Sequence, residues 1–415
     1  MIEAYIIGTG MVRFGSYPAR TVNDMAWEAT NIALKNAGVN AKALESIFFS
    51  NTFWGLDGNQ HAIRGQVALR GMGIDAIPIV NVENACAGGA TALHLAVMAI
   101  ASGMHDLTLV LGAEKTTRSD PLLSSGAAAI ALMDVSNIDN ALKRMDAFTT
   151  TFLPEISNKE RPCQKKRTHL WMNSLALGAR WHMSRFGSTR KQLAVICSKN
   201  YYHGSLNPLA RFRTRLSPEE IMAEPPVFFP LSPSMCALEG DGAAALLVCS
   251  RNYLKKTGLS ARIRIIASVL GSGRERDIDA ESMGERLSKK AYHMAGVGPS
   301  DIDLAEIHDI TAYGELHQTE AMGFCPIGEG GLYAESGATR LGGEKPINTG
   351  GGIECRSHAT GATGLAQIIE LCAQLNGEAG SRQVENARIG LAENDGGMIG
   401  IEAAAMAIHI LEKTD

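Results

Sequence analysis

Cys86 stands three residues before the triplet Gly89-Ala90-Thr91, and His358 stands three residues before a second such triplet, Gly361-Ala362-Thr363. A cysteine at the start of a buried helix lies where the helix dipole and free backbone N–H groups favour the thiolate, below the ordinary pKa of about 8.5. Its neighbours Ala85, Ala87, Gly88 and Gly89 are small, which lets a substrate carbonyl approach the sulfur. A histidine at the matching helix start could activate that thiol or donate to a developing oxyanion. These residue types point to nucleophilic chemistry at a carbonyl.

The spacing is part of a longer repeat. The first copy runs from Cys86 to Leu93, through an apolar stretch to Gly103, and on to Leu109–Glu114; the second runs from His358 to Leu365, to Gly377, and on to Ile389–Glu393. Each reads as turn, buried helix and strand. Upstream, Ala33, Ala37-Gly38-Val39 and Ile47 echo Ala291, Ala295-Gly296-Val297 and Leu304 at nearly the same spacings. Halves packed about a pseudo-twofold axis would turn equivalent helix starts, and with them thiol and imidazole, toward one another.

The elements that must hold this pair alternate. A strand at Ala4 to Gly8, a helix over Thr21 to Ala37 stopped by Gly38, a strand at Ser46 to Phe49, a helix near His61 to Met72 and a strand at Ile77 to Val82 precede the Cys86 turn. Such alternation predicts an α/β fold with a mixed or parallel sheet and helices on its faces. The second half repeats it with a strand from Arg262 to Val269, a helix from Met283 to Ala295, and a strand from Leu304 to Ile307 leading into His308-Asp309. The expected division is a first half over residues 1–255, carrying an insertion over about 116–233, and a second half over residues 256–415. The insertion holds Lys159, Arg161, Lys165, Lys166 and Arg167, a helix from Met172 to Phe186, and Arg211, Arg213 and Arg215. It reads as a solvated basic face, with a grip on the phosphates of an anionic cofactor such as coenzyme A as the sharper alternative. Gly8-Thr9-Gly10 does not make a dinucleotide fingerprint, because Arg13 stands where its third glycine belongs.

Composition removes other classes. A chain of 415 residues exceeds what one core usually supports, so two lobes are expected. The formal charge of −4, with no long one-sign block, leaves no electrostatic footprint for nucleic acid. No apolar run approaches the roughly 20 residues of a membrane span, and the N-terminal residues lack the basic region of a secretory leader. The eight cysteines show no C-x-x-C spacing. Reduced thiols in a cytoplasmic compartment are therefore expected, without a disulfide framework or a metal site; with the glycines of Gly328 to Gly352 also lacking the Lys-Ser/Thr ending of a phosphate loop, no permanently bound cofactor is expected.

Asn81-Val82-Glu83-Asn84-Ala85-Cys86-Ala87-Gly88-Gly89 and Ser357-His358-Ala359-Thr360-Gly361-Ala362-Thr363-Gly364 together resemble the nucleophile and G-H-P-x-G-A-T-G motifs of thiolases. His308-Asp309 with Glu315-Leu316, Gly323-Phe324-Cys325 and Gly328-Glu329-Gly330 is similar to the H-D-C-F region of the sterol-carrier or lipid-transfer branch. Asn348-Thr349-Gly350-Gly351-Gly352 fits the segment before that branch's G-H-P motif. The resemblance extends from about Ile6 to Leu411. It implies a duplicated five-layered α-β-α-β-α fold with an inserted loop domain, at least a homodimer, and acyl transfer through an acylated Cys86 with coenzyme A as co-substrate. It also implies that His358 activates Cys86 and, with His308 or a water, binds the thioester oxygen. The N–H groups of Cys86 and Gly396 would form a second oxyanion hole. Relatives in this branch often associate with a small zinc-ribbon/OB-fold protein, so such a partner is expected.

Two departures from the pattern bear on mechanism. Thiolases carry a second cysteine as acid/base, in C-x-G or in H-D-C-F, whereas here those positions read Asn394-Asp395-Gly396 and His308-Asp309-Ile310-Thr311. Enolate protonation then falls to His308, Asp395 or a water. Ser357 and Ala359 replace the glycine and proline flanking the motif histidine, which implies an altered pocket for an aromatic, branched or dicarboxylic acyl group. Phe53 and Trp54 could line it or belong to the core. Three readings stay open: a 3-oxoacyl-CoA thiolase, a coenzyme A-independent C-acyltransferase or condensing enzyme, and a non-catalytic subunit of a multienzyme complex.

Overall fold

Local chemistry sets the outer helices. Thr21 Oγ1 accepts the Asp24 N–H while Asp24 returns a contact to the Thr21 N–H, a capping box, and Gly38 at φ 66° stops α1 (Val22–Ala37). Ser282 and Glu285 make the same box ahead of α5 (Met283–Ala295), which ends at Gly296 with φ 73°. In the computed structural model, residues 2–117 apart from 75, residues 131–134, 136, 137, 140 and 143, and residues 170–414 are described.

Nine strands, β1 (Ala4–Gly15), β2 (Ser46–Ser50), β3 (Ile79–Val82), β4 (Leu107–Glu114), β5 (Asp241–Ser250), β6 (Ile263–Ser272), β7 (Leu304–Glu306), β8 (Ile389–Gly396) and β9 (Ala405–Lys413), form one sheet among the described residues. Its order is β3-β2-β4-β5-β1-β6-β9-β8-β7. The pairings repeat across the β1–β6 seam. β2 pairs parallel with β4 as β7 does with β8, and β4–β5 and β5–β1 are antiparallel like β8–β9 and β9–β6. The counterpart of β3 is reduced to an isolated parallel bridge between Ala305 and Ile347.

Side-chain alternation then sorts the layers. Along β5, Ala244, Leu246 and Val248 join a core containing the central helices α2 (Gly88–Ala101) and α7 (Thr363–Asn376), while Ala243, Ala245 and Leu247 face α1. In the second half Leu411 points to the central helices, and Met406, Ile408 and Ile410 pack with α5. The result is α1, half-sheet, central helices, half-sheet, α5: the expected α/β five-layered duplicated arrangement.

Some local expectations change. The first strand continues to Gly15, because Gly8 and Gly10 lie directly under α1, where an added Cβ would strike the Ala33 and Ala29 carbonyls. That close approach accounts for the glycines a dinucleotide motif would otherwise claim. The helix near His61 to Met72 is shorter, Arg64–Leu69, since Ile63 just before it sits at φ 48°. Between residues 170 and 206 the expected insertion is mostly helical: α3 (Leu170–Phe186) and α4 (Arg190–Leu206) share a core with α6 (Ala312–Ala321) of the second half, through Ala179, Leu193, Ile196 and Leu316. Lys159, Arg161, Lys165, Lys166 and Arg167 lie outside the described residues. Arg211 donates to the Glu239 carbonyl and Ser357 Oγ, and Arg215 sits over the Tyr202 ring, so both are engaged within the protein. Among the described residues no helix is long and apolar enough to cross a membrane.

Candidate active site

Cys86 lies in a single 3-10 turn, Ala85–Ala87, just ahead of α2. Ala85 adopts φ 50°, a left-handed conformation unusual for alanine, and its N–H is held by Glu83 Oε1 at 2.7 Å. Gly88 follows where a Cβ would meet Ser50 Oγ, and Gly89 where it would meet the Gly361 carbonyl, so the nucleophile turn needs small residues. Cys86 is only 2% exposed.

The backbone of His358 is clamped to the strand-like segment before β5: its N–H donates to the Leu238 carbonyl at 2.7 Å and its carbonyl accepts the Gly240 N–H at 3.0 Å. Its Nε2 lies 3.0 Å from Cys86 Sγ, and its Nδ1 lies 2.9 Å from Thr363 Oγ1. The Thr363 hydroxyl gives its own hydrogen to the Ala359 carbonyl at 3.1 Å. It is therefore the acceptor for Nδ1–H, which leaves Nε2 as a lone pair facing the thiol. The first copy uses its triplet threonine likewise: Thr91 Oγ1 donates to the Ala87 carbonyl and accepts from Asn84 Nδ2. Ser357, at the motif glycine position, takes φ 80° and is tethered through Oγ to the Leu238 carbonyl at 2.6 Å.

Burial changes the resting charge state from that expected. Desolvation pushes the Cys86 thiol well above its ordinary range, the Asp395 carboxylate adds to this, and the N–H groups of Gly397 and Cys86 oppose it. Burial likewise lowers His358 to about 3. The expected thiolate at a helix start is thus replaced by a neutral pair, S–H facing an imidazole lone pair. The two N–H groups do not offset the loss of water around the sulfur.

His308 completes a buried trio, with one ring nitrogen of each histidine and the sulfur all within 4.8 Å of one another. Among the described residues this is the one His/Cys/Asp/Glu group whose atoms converge closely enough to hold a metal ion. Asn394 Nδ2 donates to His308 Nδ1 at 2.7 Å, so Nε2 carries the hydrogen toward the cavity. Asp395 Oδ1 lies 3.9 Å from that Nε2, and Asp395 Oδ2 accepts from Gln318 Nε2 at 3.0 Å. Desolvation raises the Asp395 carboxyl to about 6. Gly396 occupies a point where a Cβ would strike the Cys86 and Ala87 amides. The next residue, Gly397, turns its N–H to the Cys86 sulfur.

Equivalent glutamates fasten the loops. Glu114, ending β4, accepts the N–H groups of Thr52, Phe53 and Gly361 at 2.9, 3.0 and 3.1 Å, tying the first half to the His358 loop. Glu393, its repeat counterpart, accepts the His308 N–H at 2.9 Å. Asp309 accepts the Ile353 N–H at 2.8 Å, holding the segment that leads into His358. A cavity of about 340 Å³ opens from His308, Asp395 and Gly397. Neither Phe53 nor Trp54 lines it; Phe53 is buried, and Trp54 packs on the fringe of the core around α1. Sequence reasoning missed Thr363, Glu114 and Glu393 although the repeat displayed all three. It also missed Gln318 and Gly397, which carried no signal.

Comparison with known proteins accords with this geometry. Residues 4–159 match the family described as thiolase, N-terminal domain, and residues 272–412 match thiolase C-terminal domain-like. The chain is 34% identical to an acetyl-CoA acetyltransferase of Methanothermobacter thermautotrophicus, over all of both chains. It is 32% identical to sterol carrier protein 2 of Oryctolagus cuniculus over 95% of this chain and 70% of that one. The solved Ltp2-ChsH2(DUF35) aldolase shares the fold, with a TM-score of 0.77 and 21% identity over 99% of this chain and 98% of that one. A thiol and an imidazole from duplicated halves, relatives matched end to end and both family domains together place the chain in the thiolase family, as an acyltransferase of that type.

Proposed function

We propose that the protein cleaves or forms a 3-oxoacyl-CoA by acyl transfer through Cys86, with coenzyme A as acyl acceptor. The observation that carries this reading is the 3.0 Å approach of His358 Nε2 to Cys86 Sγ. In cleavage, the thiol proton passes to Nε2 as the sulfur attacks the 3-oxo carbon, and the N–H groups beside the sulfur receive the oxyanion. The carbon–carbon bond breaks with its electron pair leaving as the enolate of a shortened acyl-CoA. Asp395 protonates that enolate, taking the place of the absent second cysteine, while His308 Nε2–H supports the thioester oxygen. A carboxyl near 6 suits both acid and base work close to neutrality. A second coenzyme A thiol then gives its proton to Asp395 and attacks the acyl-Cys86 thioester. Cys86 departs as thiolate and recovers its proton from His358.

The same reading includes a homodimer core with a small zinc-ribbon/OB-fold partner. Supporting it, β3 is an edge strand with Val80 and Asn81 exposed, and the aldolase of similar fold is itself a two-protein assembly. Intact-mass analysis after incubation with acyl-CoA esters tests the chemistry. An acyl increment mapped to Cys86 and absent from Cys86→Ser is expected; a folded protein that acquires none across the panel defeats the reading. Turnover without free coenzyme A would move it to the coenzyme A-independent condensing class.

A further inference from the structure

The cavity beyond His308 and Asp395 has a composition of its own. Trp181, Phe186 and Tyr313 offer aromatic faces, and Met283, Met398 and Met406 supply thioether or methyl walls. Methionine sulfur packs favourably at ring edges and adapts to irregular shapes. At about 340 Å³ the space falls at the lower end of small-molecule sites, which run from about 300 to 1,000 Å³. The charged residues of its wall are unbalanced: six acids, Asp279, Glu281, Glu285, Glu320, Asp395 and Glu402, against two bases, Arg185 and Arg276.

Pairing does not remove that excess. Glu402 is shared by Arg276 and Arg286, Glu281 is met by Lys289, and Glu320 faces His182 Nε2 at 3.0 Å. Adding Arg286, Lys289 and even His182 as cations still leaves six acids against five bases. Arg276 is further committed through Nη1 to the carbonyls of Asp277, Ile278 and Ala280, so it is turned toward its own loop as well as toward Glu402. An anion entering here would meet a field of its own sign in a partly desolvated space. A flat, uncharged ring would meet aromatic and thioether surface.

We infer that this cavity is the acyl pocket and that it selects a neutral aromatic acyl group while excluding dicarboxylic ones. The inference rests on acyl transfer through Cys86. The acyl-loading step is balanced within the site: Cys86 gives its proton to His358, the new C–S bond forms at the acyl carbon, and coenzyme A leaves with the proton from His358.

The test is competitive acylation of the full chain with benzoyl-CoA, glutaryl-CoA and acetyl-CoA, read as adduct mass on Cys86. Benzoyl adduct is expected at least tenfold faster than glutaryl. Ile401→Trp, which narrows the cavity wall, is expected to shift the benzoyl-to-acetyl ratio at least tenfold toward acetyl; Leu175→Trp on α3 gives the same readout should the first variant fold poorly. Glutaryl adduct at or above the benzoyl rate, or a ratio unmoved by both folded variants, overturns the pocket assignment while leaving Cys86 as nucleophile. Absence of any adduct from all three esters overturns the acyl-transfer reading itself and the pocket with it.

Discussion

Asp395→Asn separates the cost of an acid from its use. The carboxyl is raised from an ordinary 3.8 to about 6, chiefly by burial, so the folded chain holds that proton more tightly than the unfolded chain does. Stability linked to this proton is therefore complete below about pH 4 and is lost as pH rises through 6. At about 1.4 kcal/mol per pH unit, the full penalty above pH 6 is about 3 kcal/mol, and about 2 kcal/mol once the partial exposure of the side chain, 23%, is allowed for. Asparagine carries no such penalty, and its Oδ1 can still accept from Gln318. With an unfolding entropy of about 2 cal/mol/K per residue, the variant should melt about 2 to 3 °C higher at pH 8. The gain should shrink to nothing by pH 4. Thermal unfolding at pH 4, 6 and 8 reads the first part. The second is turnover with a 3-oxoacyl-CoA, expected to fall about 10²- to 10⁴-fold as for loss of a general acid, with the wild-type inflection near pH 6 abolished. A variant that melts lower at pH 8, or one with the same shift at every pH, would refute the reasoning.

Iodoacetamide should alkylate Cys86 slowly near neutrality and ever faster through pH 9, because the resting thiol is neutral; a plateau reached by pH 7 would indicate a thiolate–imidazolium pair. Thr363→Val removes the acceptor of His358 Nδ1–H and should lower kcat at least tenfold. Its stability cost is that of two hydrogen bonds, to His358 Nδ1 and to the Ala359 carbonyl, at about 1 kcal/mol each, and unchanged kcat in a folded variant would sever the link between that hydroxyl and the tautomer. Gly112→Ala would drive a Cβ into the Gly361 carbonyl and the Ala362 α-carbon, backbone that cannot swing aside. A loss of about 1 to 3 kcal/mol is expected, accompanied by weaker Cys86 acylation as the His358 loop is displaced; denaturant unfolding and adduct mass measure the two.

The pairing of Cys86 with His358 was legible because duplication leaves a visible spacing, and because a twofold arrangement of helix starts has few geometries. The two α/β halves followed from the same repeat, and the five layers from the resemblance to thiolases. What it could not convey was dielectric: helix position argues for a thiolate, whereas the depth of the turn under Ser50, Gly361 and Gly396 decides for a thiol. Thr91 and Thr363 stood in plain view inside the triplets, yet their function depends on a carbonyl four residues back that only a folded turn presents. Gln318 reaches Asp395 from 77 residues away in the chain, a separation at which a single sequence carries no spacing signal. The basic residues of the insertion illustrate the converse, since Arg211 and Arg215 are conspicuous by charge but are taken up by Ser357 and Tyr202.

The seam between β1 and β6 joins two units that have become complementary in what they offer. Two copies of the first unit about such an axis would set thiol against thiol, and two of the second would set imidazole against imidazole. Neither pair holds both a nucleophile and a base. A chain that carries one unit of each kind is therefore the smallest package that holds both groups. Any splitting, permutation or recombination of it must then deliver one unit of each kind to the same assembly.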